Sequence, residues 1–241
     1  MNFTTQNTLA EIVKTDFRTA RIFENYKLDF CCNGNRALGD ACRDKNLNAD
    51  KVLSEVTMIC EDNKANTEFT EWKIDELVHH ILNTHHLYVK QMLPTILAHA
   101  LKVSEVHGAN HPEVIEIARI FEMVHDELSS HLMKEEKMLF PAILQFAELE
   151  KTGTAMDVSP FGSIQNPINV MEREHTEAGD GFYRIRELSS DYNPPEDACT
   201  TFRILYRELN EFEQDLHTHI HLENNILFPQ TIELEKKLMG K

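Results

Sequence analysis

The chain has 241 residues and a net charge of −16, with only 8 Gly, 8 Pro and 5 Cys. That length buries a substantial core with room for a small second domain, and so few glycines and prolines favour long helices over many tight turns. Three classes are excluded: no Lys/Arg cluster offers a nucleic-acid footprint, no apolar run approaches the about 18 residues that span a bilayer, and an odd number of irregularly spaced cysteines forms no disulfide scaffold or zinc knuckle.

The opening stretch MNFTTQNTLAEIV has no basic and apolar leader pattern, so a cytoplasmic location is expected. Residues 1–65 read as a small helical domain, with 9 basic and 10 acidic residues in near balance. Its expected helices cover 9–16, 17–26, 36–46 and 49–62, the last capped by Asn48. Between them, Asp29-Phe30-Cys31-Cys32-Asn33-Gly34 reads as a loop. Cys31 and Cys32 stand before a helix start, where the helix dipole and Arg36 would favour a thiolate, which makes them candidate reactive thiols. Two structural cysteines packing a small domain are the alternative. Cys42, Cys60 and Cys199 read as ordinary thiols. Residues 62–70 are polar and read as a linker.

Residues 66–241 carry 15 basic and 30 acidic residues, which mark solvated helix faces. Four long amphipathic segments follow: A over 71–103, B over 112–149 with Pro112 in its first turn, C over 167–189, and D over 195–238. Short or moderate connections predict an all-α fold, an up-down-up-down four-helix bundle.

Segments B and D share a phrase. His131 and Glu135 precede Leu139-Phe140-Pro141, and His219 and Glu223 precede Leu227-Phe228-Pro229, with the same spacing. Four residues is about one helical turn, so each imidazole shares a face with its carboxylate. These residues and His175 fall on the apolar stripes of B, C and D. A buried carboxylate costs several kcal/mol unless it is paired, and a metal cation supplies the partner. His86 precedes His131 by 45 residues and His175 precedes His219 by 44, so the bundle reads as two helix-pair halves, each offering two His and one Glu. His86, His131, Glu135, His175, His219 and Glu223 suffice for two metals if both carboxylates bridge. Imidazole and carboxylate without thiolate suit iron, manganese or zinc. The remaining ligand positions leave room for an oxo or hydroxo bridge and an exogenous molecule. Of the other histidines, His85 reads as a residue on the partner face or one that supports a ligand from behind, His125 as a residue near the site or its access path, and His217 and His221 as pointing elsewhere. His79 and His80 read as surface residues, and His99, His107 and His111 lie near the A–B connection.

The phrases HLMKEEKMLFP, HIHLENNILFP, MEREHTEAG and HHLYVKQMLP resemble the hemerythrin-like domain of the repair-of-iron-centres proteins, also called the ScdA family. The Asp29-Phe30-Cys31-Cys32 loop resembles that family's short N-terminal domain. Asn33 stands where the family commonly has Gly, and the turn is expected to survive because Asn tolerates left-handed backbone. The resemblance covers nearly the whole chain. It implies a hemerythrin-like bundle over 66–241 behind a Cys-Cys domain over 1–65. It implies two non-haem iron ions with His86, His131, His175 and His219 as terminal ligands and Glu135 and Glu223 as bridges. It further implies repair of iron-sulfur clusters damaged by nitrosative or oxidative stress, damaged iron-sulfur proteins as clients, and a homodimer. NO, O2 or peroxide would be the small-molecule ligands. Cys31 and Cys32 would serve redox exchange, metal hand-off or client contact. A di-iron NO or peroxide reductase and an O2 or NO sensor are the alternative functions.

Overall fold

The computed structural model describes residues 3–61 and 69–240. Among the described residues the regular elements are helical, with one isolated β-bridge between Thr8 and Ala37.

The N-terminal unit holds α1 (Leu9–Thr15), a 3-10 turn (Phe17–Thr19), α2 (Ala20–Asn25), α3 (Leu38–Asp44) and α4 (Ala49–Glu61). A capping box starts α1: Thr8 Oγ1 accepts from Glu11 N at 3.1 Å and Glu11 Oε2 accepts from Thr8 N at 2.9 Å. Asn48 Oδ1 accepts from Lys51 N at 3.0 Å, the cap expected for α4. The helix expected over 36–46 is shorter. Backbone bonds from Leu9 N to Arg36 O and from Leu38 N to Asn7 O tie residues 36–38 to the start of α1 instead. Asn33 is not left-handed; its side chain donates to Asp29 Oδ2 at 2.7 Å. Gly34 is needed because any Cβ there would collide with the Phe30 carbonyl.

Segment A contains α5 (Ile74–Ile81), a π-helical turn (Leu82–His86) and α6 (Leu87–His107). Segment B contains α7 (Glu113–Lys134), a π turn (Glu135–Leu139) and α8 (Phe140–Thr152). Segment C is one helix, α9 (Gln165–Leu188). Segment D contains α10 (Thr200–Leu222), a π turn (Glu223–Leu227) and α11 (Phe228–Leu238). Helix α6 packs on α7, α7 on α9, and α10 back on α6, giving the up-down-up-down bundle. Pro112 caps α7 rather than entering its first turn. Segment D becomes helical only at Thr200, because Arg203 binds the carbonyls of Glu196 and Ala198 in a turn after Pro194-Pro195.

The π turns interrupt segments A, B and D, and only C runs as an unbroken α-helix. In B and D a proline follows directly. Pro141 and Pro229 lack an N–H, and each ring crowds the carbonyl four residues earlier, at Lys137 and Asn225. Both carbonyls lie inside the π turns, where the wider winding relieves the crowding.

Two apolar clusters flank these turns. One joins Leu9, Ile12, Phe23 and Phe30 of the N-terminal unit to Phe121, Phe182, Phe212 and Leu216 of the bundle. The other joins Leu77, Ile81, Phe140, Phe146, Phe228 and Leu234 at the opposite end. The N-terminal unit therefore shares a core with the bundle. Of the expected linker, residues 62–68 lie outside the described residues.

Candidate metal centre

The π turns stand at the junction of the two apolar clusters and carry polar side chains inward. His86 ends the turn of segment A, Glu135 begins that of B and Glu223 begins that of D. His131, His175 and His219 come from α7, α9 and α10. All six side chains belong to residues at most 1% exposed.

They form two quartets that share both carboxylates: His86, Glu135, His219 and Glu223, and His131, Glu135, His175 and Glu223, with the ligand atoms of each quartet within 4.8 Å of one another. Glu135 Oε2 lies 3.3 Å from His86 Nε2 and 3.3 Å from His131 Nε2. Glu223 Oε2 lies 3.1 Å from His175 Nε2, and Glu223 Oε1 lies 3.1 Å from His219 Nε2.

Neighbours fix which ring nitrogen faces inward. His86 Nδ1 donates to Glu136 Oε1 at 2.8 Å, and Lys90 also binds Glu136. His131 Nδ1 donates to Glu174 Oε2 at 3.0 Å, and Lys134 also binds Glu174. His175 Nδ1 donates to Asn224 Oδ1 at 2.8 Å. With the protons on Nδ1, the Nε2 lone pairs of these rings point to the middle. His219 differs: its Nδ1 is buried without a hydrogen-bond partner. His85 stacks on it at 5.5 Å with planes 6° apart, and donates to Asp215 Oδ1 at 2.9 Å.

These residues fit metal ions. His131 Nε2 and His175 Nε2 face each other at 3.1 Å, so two lone pairs converge unless a cation or proton lies between them. His86 Nε2, both Glu135 oxygens and Glu223 Oε2 are buried without hydrogen-bond partners. Such atoms are costly unless something charged satisfies them.

The electrostatics show what replaces a metal in the metal-free chain. Burial lowers the His86 pKa, but Glu135 and Glu223 outweigh it and raise it to about 10. Burial likewise opposes protonation of His131, and Glu135 with Glu174 raises its pKa to about 10. Burial and Glu223 push the Glu135 carboxyl up, but His131 and His86 hold it at about 2. Burial wins at His219, whose pKa is lowered.

Residues 77–231 match the hemerythrin HHE cation binding domain, and residues 5–59 match the ScdA_N domain, described as being of unknown function. A probable iron-sulfur cluster repair protein of Haemophilus influenzae is 37% identical over 230 residues, covering 94% of this chain and 97% of that protein. The iron-sulfur cluster repair protein YtfE of Cronobacter sakazakii is 37% identical, covering 95% and 97%. YtfE of Escherichia coli O81 is 35% identical, covering 93% and 96%. The chain belongs to this iron-sulfur cluster repair family. Its bundle is a hemerythrin-type cation-binding domain, and the two His/Glu quartets are groups that could hold metal.

Sequence spacing brought these six residues to one place, but it missed their outer partners. Glu136 and Asn224 each follow the shared Glu by one residue, and Glu174 precedes His175; the equivalent placement of Glu136 and Asn224 was the available signal. His125 pairs with Asp126 at 2.9 Å and borders a surface cavity with Lys90 and Glu136. His217 and His221 face the N-terminal unit, at 6.2 Å and 5.8 Å from the Phe30 ring.

The activation expected for Cys31 is corrected. Helix α3 begins only at Leu38, and Arg36 pairs with Asp44. Cys31 is buried; the Cys32 thiol, burial and Asp29 all push its thiol well above the usual value. Cys32 is partly exposed.

Proposed function

We propose that this chain holds two iron ions, with His86, His131, His175 and His219 as terminal ligands and Glu135 and Glu223 as bridges, and that it repairs iron-sulfur clusters damaged by nitrosative or oxidative stress by donating iron. The observation that carries the reading is the shared membership of Glu135 and Glu223 in both quartets, with imidazole Nε2 atoms converging on them. Its relatives in Haemophilus influenzae and Cronobacter sakazakii, named as iron-sulfur cluster repair proteins, support the repair role. When bound, the irons would supply one-electron redox chemistry toward NO, O2 or peroxide and a store of releasable metal.

The protein's own groups do the rest. Glu136, Glu174 and Asn224 hold three imidazoles in the tautomer that offers Nε2. Phe140 stacks on His86 and Phe228 on His175, closing one side of the centre to water. Damaged iron-sulfur proteins are the clients in this reading, and the family resemblance extends it to a cytoplasmic homodimer.

The test mixes the iron-loaded protein, without oxygen, with an iron-sulfur enzyme inactivated by NO. Recovery of enzyme activity beyond that given by the same amount of free ferrous iron is expected. Recovery no greater than with free iron rejects donation from the centre.

A further inference from the structure

The proposed iron centre takes no ligand from the Asp29–Asn33 loop. One ligand atom each from Asp29, Cys31 and Cys32 lies within 4.8 Å of the others. Cys31 Sγ donates to Asp29 Oδ1 at 3.3 Å. The loop is held from both sides. Asp29 Oδ1 accepts from the backbone N–H of Cys31 at 3.1 Å and of Cys32 at 2.9 Å. Asn225 Nδ2 donates to Phe30 O at 3.0 Å, and Asn224 Nδ2 to Cys31 O at 3.4 Å. These contacts prepare the three side chains before any ligand arrives.

A cavity of about 150 Å³ opens on this cluster between the N-terminal unit and helices α9 and α10. Asp29, Cys31 and Cys32 line it, together with Asp180 and His217. His217 Nδ1 is buried without a hydrogen-bond partner.

We infer that Asp29, Cys31 and Cys32 form a second, mononuclear site for a thiophilic divalent cation, with its remaining coordination facing this cavity. Two thiolates and a carboxylate this close would repel one another in the absence of a cation, and in the metal-free loop the Cys31 thiol instead donates to Asp29. A soft or borderline divalent ion reverses the balance: it displaces both thiol protons to solvent and turns three competing groups into ligands. No electron is transferred in this step. The buried Cys31, unsuited to be an exposed nucleophile, suits a ligand. Asn224 bonds both the Cys31 carbonyl and His175, so the loop and the iron centre share one positioning residue. The second site does not rest on the iron reading, since none of its three ligands belongs to either His/Glu quartet.

Cobalt(II) is the probe. The full-length protein, reduced and with its iron in place, is titrated with cobalt without oxygen while the thiolate-to-cobalt absorption is followed. One equivalent per chain is expected to give the band, and zinc is expected to remove it. The double variant Cys31→Ser/Cys32→Ser should lose the band, whereas Cys199→Ser and Cys60→Ser should keep it. A band that survives the double variant, or none at stoichiometric cobalt, overturns the site.

A measurement on the unaltered chain guards against misfolded variants. Stoichiometric zinc should slow alkylation of Cys32 about tenfold or more and leave Cys199 unchanged, because a metal-held thiolate is withdrawn from attack. Equal alkylation of Cys32 with and without zinc overturns it as well. Iron content measured on the same samples separates failure of this site from failure of the bundle centre.

Discussion

The ring of Phe228 lies parallel to that of His175, with centroids 6.2 Å apart and planes 2° apart. Phe140 also stacks on His86, with centroids 5.3 Å apart and planes tilted by 29°. The duplicated Leu-Phe-Pro phrase thus has a physical purpose. Its Phe supports a histidine from the other helix of the same half, and its Pro accompanies the π turn that carries the shared carboxylate. Phe228→Ala should cost about 3–5 kcal/mol of stability through the cavity it leaves. It should also loosen the metal held at His175. Thermal denaturation with metal analysis checks both, and an unchanged melting temperature contradicts the packing role.

Loss of either shared carboxylate should affect both ions. Glu135→Ala and Glu223→Ala are each expected to lower metal content well below two per chain, because each glutamate belongs to both quartets. Elemental analysis of the purified variants measures this. Full metal content in both variants rejects the ligand assignment.

The internal repeat is imperfect in its outer partners, and that predicts unequal ions. Glu136 and Asn224 occupy equivalent positions, yet one offers His86 a carboxylate and the other offers His175 a neutral amide. Glu174 bonds His131 Nδ1, whereas the equivalent position beside His86 is His85, which stacks on His219 and leaves its Nδ1 unpaired. Iron removal by a chelator should therefore run in two phases, with the ion at His86 and His219 leaving first. Glu174→Gln should weaken the slower ion by roughly 10–100-fold, the usual cost of losing an outer partner. A single exponential in the parent protein rules out the inequality.

Much of this centre was legible in the sequence because the polar residues interrupt apolar stripes at repeated spacing. Burial then required a shared cation, whatever the local winding. The winding itself was not legible: a His and Glu four apart satisfy both an ordinary helical turn and the observed entry into a π turn. Pro141 and Pro229 were the available signal. The cysteine loop misled for a different reason. Arg36 and Ala37 read as helix, but the Arg36 carbonyl accepts from Leu9 N of α1 and Ala37 only caps α3, which moves the start of α3 away from Cys31 and removes the expected dipole.

Metal uptake should release protons. In the metal-free chain, burial opposes but carboxylates prevail at His86 and His131, raising both from 6.5 to about 10. Both imidazoles hold protons at neutral pH, and a metal must expel them. Apparent affinity should rise with pH up to about 10. The sign for stability is opposite: the metal-free fold gains from these raised values below the unfolded value of 6.5 and loses that gain as pH climbs toward about 10. Calorimetry in buffers of different ionisation enthalpy counts the protons. No release at neutral pH contradicts the assigned protonation.

The ions should also leave by a particular side. A cavity of about 290 Å³ is bordered by His131, by Asp126, Glu127, Glu174 and Glu177, and by a single lysine, Lys134. The cavity beside Glu136 is bordered instead by Lys90, His125 and Lys137. A departing cation is attracted by the first and repelled by the lysines of the second. Glu127→Lys/Glu177→Lys should slow ferrous release to a chelator by about tenfold at low salt, since a charged cleft changes such rates by at least that order. Glu127 and Glu177 are exposed and belong to neither quartet, so metal content at saturation should stay unchanged. Added salt should narrow the difference between the variant and the parent, because exposed charges are screened beyond about 10 Å at 0.1 M. Equal release rates at low salt would place the exit elsewhere, and the reverse substitution Lys137→Glu would then be expected to speed release through the cavity beside Glu136.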